Sequence, residues 1–288
     1  MIYLLISICI SSFLFVVFKL FEVFKINTLQ AIVINYLIAA LLGFYMSDLP
    51  VSANEIVGKP WFYGAFVLGI LFIVVFNLMA LTSQRNGLSV ASVASKMSLV
   101  VGVLFGILYY GESANYIKVI GIVLALLAVY LASAKEGQAV KKKSSLLFPL
   151  LVFLGSGCID TSLKFIETEY IEEGGVPIFS ATIFAFAFLF GLFFLLVKII
   201  KGEFKFQVKN ILGGILLGVP NYFSIVYLLK ALDAEGMESS TAFTINNVGI
   251  VVLSTLLGLV LFREKISMQN FLGVLIAIIS VYLVFSYG

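Results

Sequence analysis

The apolar positions of the chain fall into long, nearly unbroken runs separated by short polar breaks. A helix needs about 20 mostly apolar residues to cross a bilayer. Ten runs approach that length: Ile2–Lys19, Leu29–Ser47, Trp61–Thr82, Leu88–Tyr110, Tyr116–Ala134, Leu146–Phe165, Ile178–Ile200, Ile211–Ala231, Ser239–Phe262 and Met268–Ser286. Strict polar–apolar alternation, the mark of a transmembrane barrel, is missing. The pattern predicts an all-α polytopic membrane protein with ten transmembrane helices. Pro60 precedes the third span, Pro149 falls in the first turn of the sixth, and Pro177 opens the seventh, where a missing N–H costs nothing. Pro220 lies inside the eighth span and predicts a kink. The first span lacks a basic leader and an A-x-A site, so it reads as a retained helix.

Self-comparison then divides the chain in two. A shift of 149 residues pairs Cys9-Ile10 with Cys158-Ile159, Gly64 with Gly213, Gly69 with Gly218 and Gly87 with Gly236. From Leu104 onward a shift of 152 pairs Gly106 with Gly258, Glu112 with Glu264, Gly121 with Gly273 and Val129-Tyr130-Leu131 with Val281-Tyr282-Leu283. Residues 1–137 form a first five-helix repeat, 138–145 a basic linker and 146–288 a second repeat, within one membrane domain. Five is odd, so the second repeat enters the bilayer upside down: the expected fold is two inverted five-helix repeats.

Loop charge supports the inversion. The loop after span three has Arg85, while its repeat partner has Asp233, Glu235 and Glu238. The stretch after span one has Lys19, Glu22 and Lys25, while its partner has Glu167, Glu169, Glu172 and Glu173. Loops 1–2, 3–4, 5–6, 7–8 and 9–10 together hold nearly all the loop lysines and arginines. The positive-inside rule makes that face cytoplasmic, with loops 5–6 and 7–8 inside and both termini outside, in a bacterial cytoplasmic membrane. Lys141-Lys142-Lys143 reads as a topology determinant against anionic headgroups.

Composition narrows the chemistry. The chain has 62% apolar and 11% charged residues, which excludes a soluble enzyme and a disordered chain. It has no histidine, so imidazole metal sites and histidine-based nucleophile pairs are excluded. Its two cysteines cannot form a disulfide framework. No nucleotide loop follows Gly155-Ser156-Gly157, no cofactor is called for, and nucleic acid is not an expected partner.

Ionisable groups inside a span face a cavity or a partner. Asp160 sits deep in span six, with Lys164 one turn on. It reads either as a substrate or coupling-ion carboxylate, or as half of an internal charge pair. Lys96 lies eight residues into span four, about 12 Å from its start, which is a long reach for snorkelling. It reads as a ligand for an anion or carboxylate. Asn246 and Asn247 in span nine read as substrate contacts or as interhelical hydrogen bonds. Ser92, Ser95 and Ser98 make a polar stripe beside Lys96, echoed by Ser239, Ser240, Thr241 and Thr244. Asn35, Tyr36, Asn77, Asn221, Tyr222 and Tyr227 form a second tier of candidates. Glu112 and Glu264 stand where a carboxylate can cap the N-terminus of the next helix. Gly121 and Ala125, like Gly273 and Ala277, are spaced to let helices approach closely.

The ten spans, the duplication and the two patterns Gly106…Glu112…Gly121 and Gly258…Glu264…Gly273 resemble the drug/metabolite transporter superfamily, in its EamA-type branch. The sequence departs from that family where members often carry a proline in the middle of spans four and nine. Here those positions read Ser95-Lys96-Met97-Ser98 and Asn246-Asn247-Val248-Gly249. Relatives are described with cytoplasmic termini, and the charge bias here predicts the opposite. The resemblance implies alternating-access transport of a small polar or amphipathic metabolite through a cavity walled by spans one to four and six to nine. Lys96 and Asp160 would suit an amino-acid-like cargo. A lipid or lipid-linked flippase of the same architecture is the alternative, and an intramembrane enzyme a remote one, since Asp160 is the only deep carboxylate. Spans five and ten are implied to be peripheral, where a homodimer could form; the remaining partners are the cargo and the bilayer.

Overall fold

The computed structural model describes residues 2–47, 53–109, 115–133, 144–171, 175–232 and 239–286, and no strand forms among them. The helices are α1 (Ile2–Val23), α2 (Thr28–Tyr45), α3 (Ala53–Val57), α4 (Phe62–Asn86), α5 (Leu88–Met97), α6 (Leu99–Tyr109), α7 (Tyr116–Ser133), α8 (Ser144–Tyr170), α9 (Val176–Ile200), α10 (Val208–Leu232), α11 (Ser239–Phe262) and α12 (Met268–Ser286). Eight stretches are long and apolar enough to cross a membrane, with α5 and α6 together making one of them. The apolar parts of α7 and α12 are shorter, Val119–Ala132 and Met268–Leu283. Two boundaries differ from the sequence expectation. The sixth span runs from Ser144 to Tyr170, which moves Pro149 from the first turn into the helix interior. The fourth span is interrupted at Ser98.

Two compact units make up the chain. One gathers Met1–Lys19, Leu78–Cys158 and Phe223–Gly288; the other gathers Leu20–Asn77 and Ile159–Tyr222. Each draws on both sequence repeats.

In the first unit α7 lies along α12, its own repeat copy. The usual amphipathic order is turned outside in. Gly121, Ile122, Ala125, Ala128, Val129 and Ala132 are buried, while Val123, Leu126, Leu127 and Tyr130 are exposed. Lipid tails are as apolar as leucine, so helices in a bilayer associate where small residues let backbones touch. A Cβ added to Gly273 would stand 2.5 Å from the Ala132 backbone nitrogen. Ser280 Oγ donates to the Gly121 carbonyl at 2.7 Å, and Asn270 Nδ2 donates to the Ala132 carbonyl at 2.8 Å. The pairs Gly121–Ser280 and Ala132–Gly273 make the two helices antiparallel. Any dimer contact through these helices would use their outward faces, because the small-residue faces are already joined to each other.

The second unit repeats the device. α2 lies along its copy α9, with Gly43 opposite Ala181 and Gly191 opposite Val33, again antiparallel. At one end, a hydrogen-bonded cluster ties the start of α2 to the start of α10. Asn27 caps α2 by accepting from the Gln30 N–H at 3.1 Å. The Asn27 N–H donates to Asn210 Oδ1 at 2.9 Å, and Asn210 Nδ2 donates to Gln30 Oε1 at 2.7 Å.

The start of α5 is capped from far away in sequence. Gly87, at φ 107°, is its N-cap and has no side chain to offer the first N–H groups. Glu264 supplies the cap: the Leu88 N–H donates to Oε1 and Oε2, both at 3.0 Å. A Cβ on Gly258 would come within 2.6 Å of the same carboxylate, so two glycines make its seat. The sequence expectation placed this cap on the next helix. α12 instead uses Ser267, whose Oγ accepts from the Asn270 N–H at 3.1 Å.

Two outcomes follow for thermal unfolding of the purified protein. Gly273→Val forces α7 and α12 apart and lowers stability by about 1–3 kcal/mol, as overpacking does. Gly58→Ala, whose nearest neighbours stand 3.6 Å or more away, stays close to wild type. Glu264→Ala removes the α5 cap and costs about 0.5–2 kcal/mol, while Glu264→Gln, which keeps an acceptor, loses less. A Glu264→Ala protein as stable as wild type would show that the contact carries no energy.

Candidate functional site

The break in span four is the first polar feature at depth. Val101 N–H donates to the Ser98 carbonyl at 2.9 Å, a three-residue bond that interrupts the α-helical ladder. Ser98 Oγ donates back to the Ser95 carbonyl, and Ser92 Oγ to the Ser89 carbonyl at 3.0 Å. Such bonds compete with the backbone and bend helices, which gives the local cause of the break. They also change the reading of the serine stripe. Ser92 and Ser98 are buried and turned onto their own helix; only Ser95 keeps partial exposure. Lys96 is half-buried in the last turn of α5, beside carbonyls that favour a cation. The first N–H groups of α6 begin at the same point.

Across the first unit from α5, α11 brings Thr255 to within 3.2 Å of Ser89 Oγ. Asn246 is 3% exposed, and its Oδ1 has no hydrogen-bond partner. Asn247 is half-buried. The hydroxyls of Ser239, Ser240, Thr241 and Thr244 lie outside the described side chains.

The second unit holds another polar centre. Asn221 Nδ2 on α10 donates to Asn35 Oδ1 on α2 at 3.2 Å. Asn35 is fully buried, and its Nδ2 has no acceptor. Leaving a buried donor unpaired costs about 1–3 kcal/mol. Next to it, the Tyr36 hydroxyl donates to the Phe72 carbonyl at 2.8 Å. Tyr222 is buried, and its ring packs where a Cβ on Gly43 would come within 3.6 Å. The repeat makes this centre informative. Shifting Asn35 and Asn221 by 149 residues gives Phe184 and Phe72, whose rings meet edge to face at 5.7 Å. Each repeat supplies one amide and one phenyl: the amides meet at one junction and the phenyls at the junction related to it by the repeat.

Asp160 is exposed on α8 and belongs to the second unit, while Lys96 belongs to the first. The side chain of Lys164 lies outside the described residues, and so does Glu112. Thr161, beside Asp160, has a buried hydroxyl with no partner. Sequence reasoning ranked Asn35 and Asn221 second and missed the Ser89–Thr255 and Gln30–Asn210 contacts. For the last of these, Asn27-x-x-Gln30 was a readable capping-box spacing.

The sequence model of the EamA-like transporter family matches residues 1–134, which is the first repeat. An uncharacterised protein of Haemophilus influenzae is 26% identical over 262 residues, covering 88% of this chain and 87% of its own length. A crystal structure of another protein shares the fold, with a TM-score of 0.60 at 16% identity, over 98% of this chain and 94% of that one. Over residues 1–134 the chain is similar to EamA-like transporters of the drug/metabolite transporter superfamily, and its described residues form an all-α integral membrane protein.

Proposed function

We propose that the protein is a secondary transporter that moves a small amino-acid-like metabolite across the membrane by alternating access. The observation that carries this reading is Lys96, a half-buried lysine beside a break in a membrane span. A cation together with the N–H groups of a following half-helix suits a carboxylate, and inverted-repeat transporters bind cargo at broken helices near the midplane. The Asn35–Asn221 amides of α2 and α10 offer a neutral acceptor and donor. Asp160 would meet the amine of the cargo or carry a coupling proton. The lysine-rich loops 5–6 and 7–8 would face the cytoplasm of a bacterium, with the termini outside. A homodimer would form through the outward faces of α7 and α12. The superfamily's members are transporters, and Asp160 without a second deep carboxylate or a histidine gives no acid–base pair for an enzyme. A second reading, a flippase for a lipid or lipid-linked metabolite, is favoured by one feature: an apolar groove that opens sideways between α11 and α12.

A thermal-shift screen of the purified protein against amino acids, purines, sugars and amphiphilic drugs separates the two readings. A ligand at about 100 times its Kd stabilises the fold by about 2.7 kcal/mol. The expected result is a shift with one class of amino acid, lost in Lys96→Ala and weakened in Asp160→Asn and Asn35→Leu. Shifts unchanged in Lys96→Ala and Asp160→Asn would remove the amino-acid reading. Stabilisation by specific lipids alone would favour the flippase.

A further inference from the structure

The groove between α11 and α12 has a volume of about 580 Å³ and an entirely apolar accessible wall. Ile245, Val248, Gly249 and Val252 line one side at positions i, i+3, i+4 and i+7, which is a single helix face. Ile279 and Tyr282 of α12 line the other side and are at least half open to the outside, at 50% and 55% exposure. Val248 belongs to its floor, packed on the core of the first unit. Gly249 adds no side chain to the wall. A Cβ there would lie 2.6 Å from Ile8 Cδ1, because α1 presses on α11 from behind.

The depth of the groove is set by helix geometry. Val252 lies ten residues before Phe262, the end of α11, and Ile278 ten residues after Met268, the start of α12. Both are therefore about 15 Å from the turn that joins the helices, and Ile245 is about 25 Å from it. The groove runs along roughly 10 Å of the span, in the half of the membrane away from that turn. It lies inside a hydrocarbon layer about 30 Å thick, with Tyr282 at the end nearer the far interface. Its surroundings face lipid: Leu256, Leu259 and Val260 of α11 and Leu275 of α12 are each at least 40% exposed.

Three occupants can be compared. Water needs two to four polar partners, and the described lining residues present no polar surface to the groove. A void forfeits the dispersion contacts of the lining on one side. An acyl chain is apolar, narrow, and already present on the open side of the groove. We propose that this groove is an acyl-chain site, which holds one tail of a membrane phospholipid between spans nine and ten in the leaflet nearer Tyr282. The proposal concerns where a tail is held, so the site stands whichever cargo the protein moves.

The test uses the full-length protein in vesicles of phosphatidylethanolamine and phosphatidylglycerol. A trace of phosphatidylglycerol carrying a photoactivatable diazirine on its tail is added, and adducts are mapped by peptide mass spectrometry. The expected adducts concentrate at residues 245–252 and 278–282, several-fold above other exposed apolar stretches such as 119–130. Val252→Phe fills the groove with a side chain and lowers that labelling several-fold, while labelling of 119–130 is unchanged. Ile279→Phe, which closes the rim from the other helix, has the same effect and guards against a folding defect in the first variant. Uniform labelling of every lipid-facing helix would overturn the proposal. So would groove labelling that both filled variants retain.

Discussion

A hydrocarbon layer gives two apolar helices no hydrophobic reason to associate, so the fold depends on how closely backbones can approach. The chain meets this constraint twice with the same arrangement. α7 meets α12 through Gly121, Ala125, Ala128, Ala132, Gly273 and Ala277, and α2 meets α9 through Gly43, Ala181 and Gly191. In each case a helix packs against its own repeat copy, running the opposite way. An odd number of spans per repeat requires the copy to be inverted, and an inverted copy can lie antiparallel against the original with matched small residues. Burial of the smallest side chains leaves the largest facing out. Leu126, Tyr130, Leu275 and Tyr282 are exposed for that reason, and in a bilayer that exposure is solvation by lipid.

Most of this was legible before any coordinates. The apolar runs, the constant shifts and the paired glycines reflect constraints that act locally or repeat along the chain. What was not legible depends on partners distant in sequence or on side-chain direction. Glu264 stood out by its pattern, but its target, Leu88, is 176 residues away, and nothing in the turn says which helix it caps. The serines of α5 were correctly seen as a stripe. A hydroxyl that turns back to its own carbonyl and one that faces a cavity have the same sequence, and Ser92 and Ser98 took the first course. The amide pair Asn35–Asn221 had no local signal, since each residue alone reads as ordinary interhelical polarity.

On the reading of the halves as copies, the positions where they differ are the informative ones. Lys96 lies where the shift passes from 149 to 152, which gives Ile245 or Val248 as its counterpart, both apolar and both lining the groove between α11 and α12. Asn35 and Asn221 become Phe184 and Phe72. Substitutions of this kind leave the backbone symmetry in place and make the polar content one-sided. A symmetric scaffold with symmetric side chains would hold its two inverted arrangements at equal energy. Under the proposed alternating access, an unequal polar set would give them unequal energies, and a ligand would move the balance only by binding one better than the other. Asn35 Nδ2 illustrates the scale. It is buried without an acceptor, at a cost of about 1–3 kcal/mol. A conformation or cargo oxygen that supplied the acceptor would recover that amount, and each 1.4 kcal/mol is tenfold in a population. One unpaired amide at mid-span is therefore enough to favour whichever arrangement satisfies it.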